Sequence, residues 1–227
     1  MKPKNLIIDC DDTLWENNRY FLEAHEKFVG LMASLGHPEA SADSLLLRME
    51  MENVPRYSYG ARSQAASMAD VYRLLEPEPD QKVLDAIARI GDAVFDHPVS
   101  LMPGVSDTLP RLSGRYRMVM YTKGKDDEQS GKIHKSPVKG YFESYKVVPE
   151  KGPDVFREML GEFGMEPGET WMIGDSPRSD ILPAVANGVR SVYIPCGLTW
   201  SLEHRELPPS DDIIVLESFG HLGRLLL

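Results

Sequence analysis

A short β-favouring run, Leu6-Ile7-Ile8, stops abruptly at Asp9-Cys10-Asp11-Asp12-Thr13. Uniformly apolar runs of this length suit a parallel strand covered on both faces, which puts the acids at the carboxyl end of the strand. Asp9 and Asp11 are two positions apart, so both carboxylates can face the same side of the strand end. Three carboxylates in four positions repel one another. A helix cap or a turn accounts for one such residue. A bound cation accounts better for the crowding, and an oxygen-rich site suits Mg²⁺.

Comparable runs recur at Met118-Val119-Met120-Tyr121, Tyr145-Lys146-Val147-Val148, Trp171-Met172-Ile173 and Ser191-Val192-Tyr193-Ile194, and Ile213-Ile214-Val215 resembles one more strand ahead of a closing helix over Phe219 to Leu226. Helical patterns such as Pro153 to Phe163 and Pro177 to Ala186 lie between most of them. Strands alternating with helices imply an α/β fold, a parallel sheet with helices on both faces. From about Asn17 to Phe95 no strand-like run occurs, and Phe21, Ala24, Phe28, Leu31 and Leu35 recur at helical spacing. This stretch reads as an all-helical insert, with helices over Ala42 to Glu52, Arg62 to Leu75 and Lys82 to Phe95. Breaks are expected at Gly36-His37-Pro38, Val54-Pro55 and Glu76 to Pro79. Met102-Pro103-Gly104-Val105 marks the return to the α/β core. The expected division is residues 1–16 and 96–227 for the core and 17–95 for the insert.

A second acidic cluster, Gly174-Asp175-Ser176-Pro177-Arg178-Ser179-Asp180, directly follows the run Trp171-Met172-Ile173. Capping of the next helix explains Ser176 or Asp175 together with Pro177 in the first turn. It does not explain Asp175 and Asp180 in addition to Asp9 and Asp11. In open α/β sheets ligands bind at the carboxyl ends of the strands, where the two clusters would meet.

With 227 residues, 42% hydrophobic and 26% charged, the chain has the composition of a folded globular protein with room for a core and a smaller module. A formal net charge of −10 disfavours general binding to nucleic acids and anionic membrane surfaces. Cys10 and Cys196 are too few for a disulfide framework, and the apolar run near the N-terminus is too short for a signal peptide or a membrane span. These features together lead us to expect a cytoplasmic protein. No cysteine belongs to a recognisable thiol-enzyme signature, so Cys10 reads as a spacer.

The order of these motifs resembles the haloacid-dehalogenase-like superfamily. Its first motif, an apolar strand followed by Asp-x-Asp-x-Thr, is matched by Asp9 to Thr13; its second, a strand ending in Ser or Thr, by Met118 to Thr122 with Lys123-Gly124 following. The third, a basic residue ahead of a helix, is similar to Lys151 in Pro149-Glu150-Lys151-Gly152-Pro153, and the fourth to Gly174-Asp175-Ser176 with Asp180. Each motif alone is weak. All four in order, each at a strand end, make a specific pattern.

The resemblance implies a Rossmann-like three-layer core with strand order 5-4-1-2-3 and an inserted helical cap. It further implies a Mg²⁺-dependent phosphohydrolase acting on a small phosphate ester. In it Asp9 is the nucleophile and Asp11 the acid and then base. Thr122 and Lys151 bind phosphate oxygens. Asp9, the main-chain carbonyl of Asp11 and Asp175 hold the metal, with Asp180 in support. Asp11 argues against the metal-free dehalogenases, which lack the second Asp. Phosphonate cleavage through a cap lysine, Lys27 or Lys82, has no motif behind it, and sugar-phosphate mutases carry Glu-Asp where this chain has Gly174-Asp175. A catalytically silent phospholigand-binding protein is the alternative from another class. Within the insert, the stretch Val54 to Ser63 concentrates Arg, Tyr and Gly. It reads equally as a connector and as a substrate-reading loop in which Arg56 and Arg62 grip a polar leaving group.

Overall fold

The first apolar run becomes β1 (Asn5–Ile8) in the computed structural model, which describes residues 3–200 and 203–227. Leu6, Ile7 and Ile8 are fully buried, as a strand covered on both faces requires. The other runs form β2 (Arg117–Lys123), β3 (Ser144–Val148), β4 (Thr170–Gly174), β5 (Arg190–Tyr193) and β6 (Ile213–Val215). All pair in parallel in the order β3-β2-β1-β4-β5-β6. The expected order of five strands is present, and β6 extends the sheet beyond β5. The strand order reverses between β1 and β4, the point where open α/β sheets open a ligand crevice.

Side-chain alternation assigns each strand residue to a layer. Leu6, Ile8, Met118, Met120, Trp171 and Ile173 join one core, which also takes in residues of α5 (Val105–Ser113), α6 (Asp126–Lys135) and α9 (Leu222–Leu226). Ile7, Val119, Tyr121 and Met172 face the other core, against α7 (Pro153–Phe163) and α8 (Leu182–Val185). Helices therefore cover both faces of the sheet.

By backbone contacts the chain divides into two units, one running up to Asn18 and resuming at Val99, the other Arg19–Pro98. The second unit contains α1, which starts at Asn18 (Asn18–Ser34), with α2 (Glu39–Tyr57), α3 (Ala61–Leu75) and α4 (Gln81–Phe95). Its own core gathers Ala24, Phe28, Met32, Leu46, Met68, Val71 and Ile87 from all four helices. Helices α3 and α4 approach closely at Gly91, where a Cβ would lie 2.4 Å from that of Ala65.

Three expectations are corrected. Val54-Pro55 does not end a helix: α2 runs through it to Tyr57, because Pro55 falls in the last turn, where its missing N–H removes only one bond. The turn comes at Ser58 and Gly60, both at positive φ, so the loop expected over Val54 to Ser63 shrinks to residues 58–60. The segment Pro177 to Ala186 is not a regular helix. The N–H groups of Asp180 and Ile181 both donate to the Ser176 carbonyl, at 2.9 and 3.2 Å, which widens Pro177–Ile181 into a π turn before α8. Helix α6 was not legible, since Ile133 is its one large apolar residue. Acids in its first turn and bases in its last suit the helix dipole.

Candidate active site

Asp9 follows β1, and its N–H donates to the Ile173 carbonyl of β4 at 2.9 Å, which fixes it beside the end of that strand. Asp175 follows β4, and Asp180 lies in the π turn. Carboxylate oxygens of these three buried acids lie within 4.8 Å of one another. Lys151, in the connection from β3 to α7, sends its ammonium into the same place and donates to Asp9 Oδ1 at 2.6 Å and Asp180 Oδ1 at 2.7 Å. The ammonium also lies 4.7 Å from the centre of the Tyr121 ring. Burial would lower the Lys151 ammonium, but Asp180 and Asp9 outweigh it and hold the group well above its ordinary value.

Three acids face one base, and the effect is visible at Asp9 and Asp175. Burial, with Asp180 and Asp11 adding to it against Lys151, raises the Asp9 carboxyl; burial and the charges of Asp9 and Asp180 raise Asp175. Asp9 Oδ2 is buried with no hydrogen-bond partner. An orphaned carboxylate oxygen beside two further acids fits a hard divalent cation such as Mg²⁺, and Asp9 and Asp175 are the side chains to hold it. Asp180 is already occupied, with Oδ1 on Lys151 and Oδ2 accepting from the Ser176 N–H at 3.0 Å. Gly174 makes room for that bend, since a Cβ there would lie 2.3 Å from Asp180 Oδ2.

Asp11 is not part of this trio. Its Oδ1 accepts from Trp15 Nε1 at 2.8 Å and its Oδ2 from Gln129 Nε2 at 2.9 Å, while Lys132 Nζ reaches the two oxygens at 2.6 and 2.7 Å. Burial alone would raise this carboxyl, but the Lys132 ammonium and the hydrogen bonds prevail and hold it below its ordinary value. Asp12 serves the backbone. At φ 61° it turns its carboxylate to the N–H groups of Asn17 and Asn18, at 2.9 and 3.0 Å, and so caps the start of α1. Cys10 is a buried core residue whose thiol is pushed well up by burial and by Asp9 and Asp11, which leaves no thiolate for chemistry.

Thr122 is buried near the end of β2. Its neighbour Lys123 enters a second polar cluster. There Glu203 accepts from Lys123 Nζ at 2.6 Å and from Ser176 Oγ at 2.6 Å, and also from the hydroxyl of Ser179. Arg56, in the last turn of α2, lies with its guanidinium 4.8 Å from the centre of the Tyr57 ring, and Arg62, in the first turn of α3, lies 5.0 Å from that of Phe95.

A family model for "haloacid dehalogenase-like hydrolase" matches residues 3–188, most of the chain and all four motifs. The chain belongs to this family. It is an enzyme of the hydrolase class, phosphatase-like in its motifs. A glyceraldehyde 3-phosphate phosphatase from Pyrococcus furiosus is 30% identical over 89% of this chain and 86% of its own length. A phosphoserine phosphatase from Thermus thermophilus is 33% identical over a shorter stretch, 36% of this chain and 34% of its own. Among solved structures, a haloacid dehalogenase-like hydrolase from Xanthomonas campestris superposes with a TM-score of 0.83 at 26% identity, covering 100% of this chain and 96% of its own.

In this hydrolase, sequence reasoning missed Trp15, Gln129, Lys132 and Glu203, and gave Lys123, beside the second motif, no role of its own. Gln129 and Lys132 stand three apart, the spacing that puts two helix residues on one face. That signal was present, but α6 itself was not recognised. Glu203 lies between β5 and β6, where no periodicity in the sequence marks it.

Proposed function

We propose that the protein is a Mg²⁺-dependent phosphohydrolase that cleaves a small organic phosphate monoester through an aspartyl-phosphate on Asp9. The observation that carries this reading is the state of Asp9, with one carboxylate oxygen held by Lys151 and the other buried and unpartnered beside Asp175. Asp9 attacks phosphorus, which splits one difficult displacement into two easier ones. Asp11 is the acid at the leaving oxygen and then the base on the water that cleaves the intermediate; the first role requires it to leave the Lys132 ammonium, which holds it as a carboxylate. Lys151, with the Thr122 hydroxyl, binds the non-bridging oxygens and offsets the charge that gathers on them. A bound Mg²⁺ would supply positive charge against the repulsion between carboxylate and phosphate.

Other readings are less well supported. The Glu-Asp pair of the mutases would place a side chain at position 174, where Asp180 leaves no room. Lys27 and Lys82 are exposed, whereas a Schiff-base lysine is activated by a desolvated or cationic setting. Arg56 and Arg62 of the helical unit, proposed as the cap, remain the candidates for reading the rest of the substrate. The substrates named for the Pyrococcus and Thermus relatives are both three-carbon phosphates, so that class comes first. A panel of such esters should release phosphate only with Mg²⁺, and Asp9→Asn should lose at least about 10⁴-fold in rate. Turnover that survives chelation or the Asp9 substitution would overturn the reading.

A further inference from the structure

A lysine ammonium sits at the end of a long, flexible stem, so one that has to meet phosphoryl oxygens at a fixed place needs holding. Lys151 donates to two carboxylates, Asp9 Oδ1 at 2.6 Å and Asp180 Oδ1 at 2.7 Å. Its ammonium also stands over the Tyr121 ring, 4.7 Å from the centre, where the ring quadrupole attracts a cation. Lys151 is 5% exposed and Tyr121 is fully buried, and cation–π attraction is strongest in such desolvated surroundings. The ring itself is fixed. Tyr121 pairs with Lys146 across β2 and β3, packs in the core with Ile7, Val119 and Met172, and is met edge-on by Phe156 at 5.8 Å between centres. The stretch of chain that carries Lys151 and Phe156 thus brings both an ammonium and a second ring to Tyr121. The phenol hydroxyl has no part in this. It is buried with no hydrogen-bond partner among the described residues, and burial pushes it up to about 12.

We propose that the ring of Tyr121 is the positioning surface for Lys151, holding its ammonium where it meets the phosphoryl oxygens. The inference rests on the phosphohydrolase reading above and deepens it. On that reading Asp9 bonds to phosphorus in every turnover, so the anchor it gives Lys151 changes, whereas the ring and Asp180 stay as they are. The ring acts through Lys151 and takes no part in bond making. Tyr121 stands directly before Thr122, so β2 supplies both a phosphate-binding hydroxyl and the support for the lysine. Weakening the negative face of the ring should loosen the ammonium and, with it, the grip on phosphate.

Ring fluorines drain negative charge from the face of an aromatic side chain while changing its shape little. The test compares Tyr121→Phe with phenylalanines carrying one, two and three ring fluorines in place of Tyr121. The inhibition constant of inorganic phosphate and kcat/KM for an aryl phosphate are measured at saturating Mg²⁺. Relative to Tyr121→Phe, the inhibition constant should rise roughly 2-fold with each fluorine, to about 10-fold for three, and kcat/KM should fall in step. An inhibition constant does not depend on the fraction of protein that folds, so a poorly folding variant still gives an answer. A role in core packing alone would leave this nearly isosteric series flat. A flat series, a series running the other way, or Tyr121→Phe inert where wild type is active would overturn the role of the ring while leaving the phosphohydrolase reading intact. Wild type inert toward every phosphate ester would overturn both together.

Discussion

Lys151 offsets only part of the negative charge that Asp9, Asp175 and Asp180 bring into one buried spot, and this imbalance bears on stability as well as chemistry. Asp9 and Asp175 have folded-state acidities above the ordinary 3.8. A raised carboxyl binds protons more readily in the folded chain than in the unfolded one. Its contribution is therefore complete below the unfolded value and is lost as pH rises through the folded one. A divalent cation bound there would offset the repulsion among these carboxylates. Replacing Asp175 with Asn removes one of the three crowded acids at nearly constant shape. In metal-free buffer at pH 7.5, about neutral, Asp175→Asn should raise Tm by roughly 2–4 °C, equivalent to about 1 kcal/mol, and should lose the upward shift that Mg²⁺ gives wild type. Thermal unfolding with and without Mg²⁺ checks this. A lower metal-free Tm, or an undiminished shift with Mg²⁺, would count against Asp175 as a ligand.

At the scale of elements, the end of β2, the π turn and the segment after β5 are tied together by Glu203. Burial would raise this carboxyl, but Lys123 and the hydroxyls of Ser176 and Ser179 hold it down to about 2 from an ordinary 4.5. A depressed acid stabilises the fold above its unfolded value, and the contribution disappears as pH falls through the folded one. Glu203→Gln should cost on the order of 3 kcal/mol near neutral pH, and the gap from wild type should narrow once pH drops below about 4.5. Urea unfolding at a series of pH values measures it. A gap that is independent of pH would mean that Glu203 acts by shape and not by charge. This network was not legible in the sequence, because Glu203 meets Lys123, Ser176 and Ser179 through tertiary folding; the α6 partners of Asp11 were hidden because α6 lacks the apolar stripe that betrays a helix. The π turn was hidden for a related reason: Pro177 and the capping Ser176 are the same signals that begin an ordinary helix.

Across the whole molecule, what could be read in the sequence was whatever local periodicity encodes. Short apolar runs at Leu6 to Ile8 and Trp171 to Ile173 predicted buried parallel strands, and helical spacing from Phe21 onward predicted the helical segment. The acids at two strand ends pointed to their own meeting place, because parallel strands bring their carboxyl ends to one edge. The partners of Asp11 were out of reach, since nothing local in the sequence links residue 11 to residues 129 and 132. Among the described residues no helix is long and apolar enough to cross a membrane. The central claim is that Asp9 takes the phosphoryl group, and trapping the intermediate tests it most directly. Protein mixed with an aryl phosphate and Mg²⁺ is quenched rapidly in acid, and the peptide carrying Asp9 is examined by mass spectrometry. The account predicts the added mass of one phosphoryl group on Asp9. The adduct should require Mg²⁺, be absent in Asp9→Asn, and build up further in Asp11→Asn, where the water that cleaves it has lost its base. Steady turnover with no phosphorylated aspartate in either wild type or Asp11→Asn, or an adduct on a different residue, would contradict it.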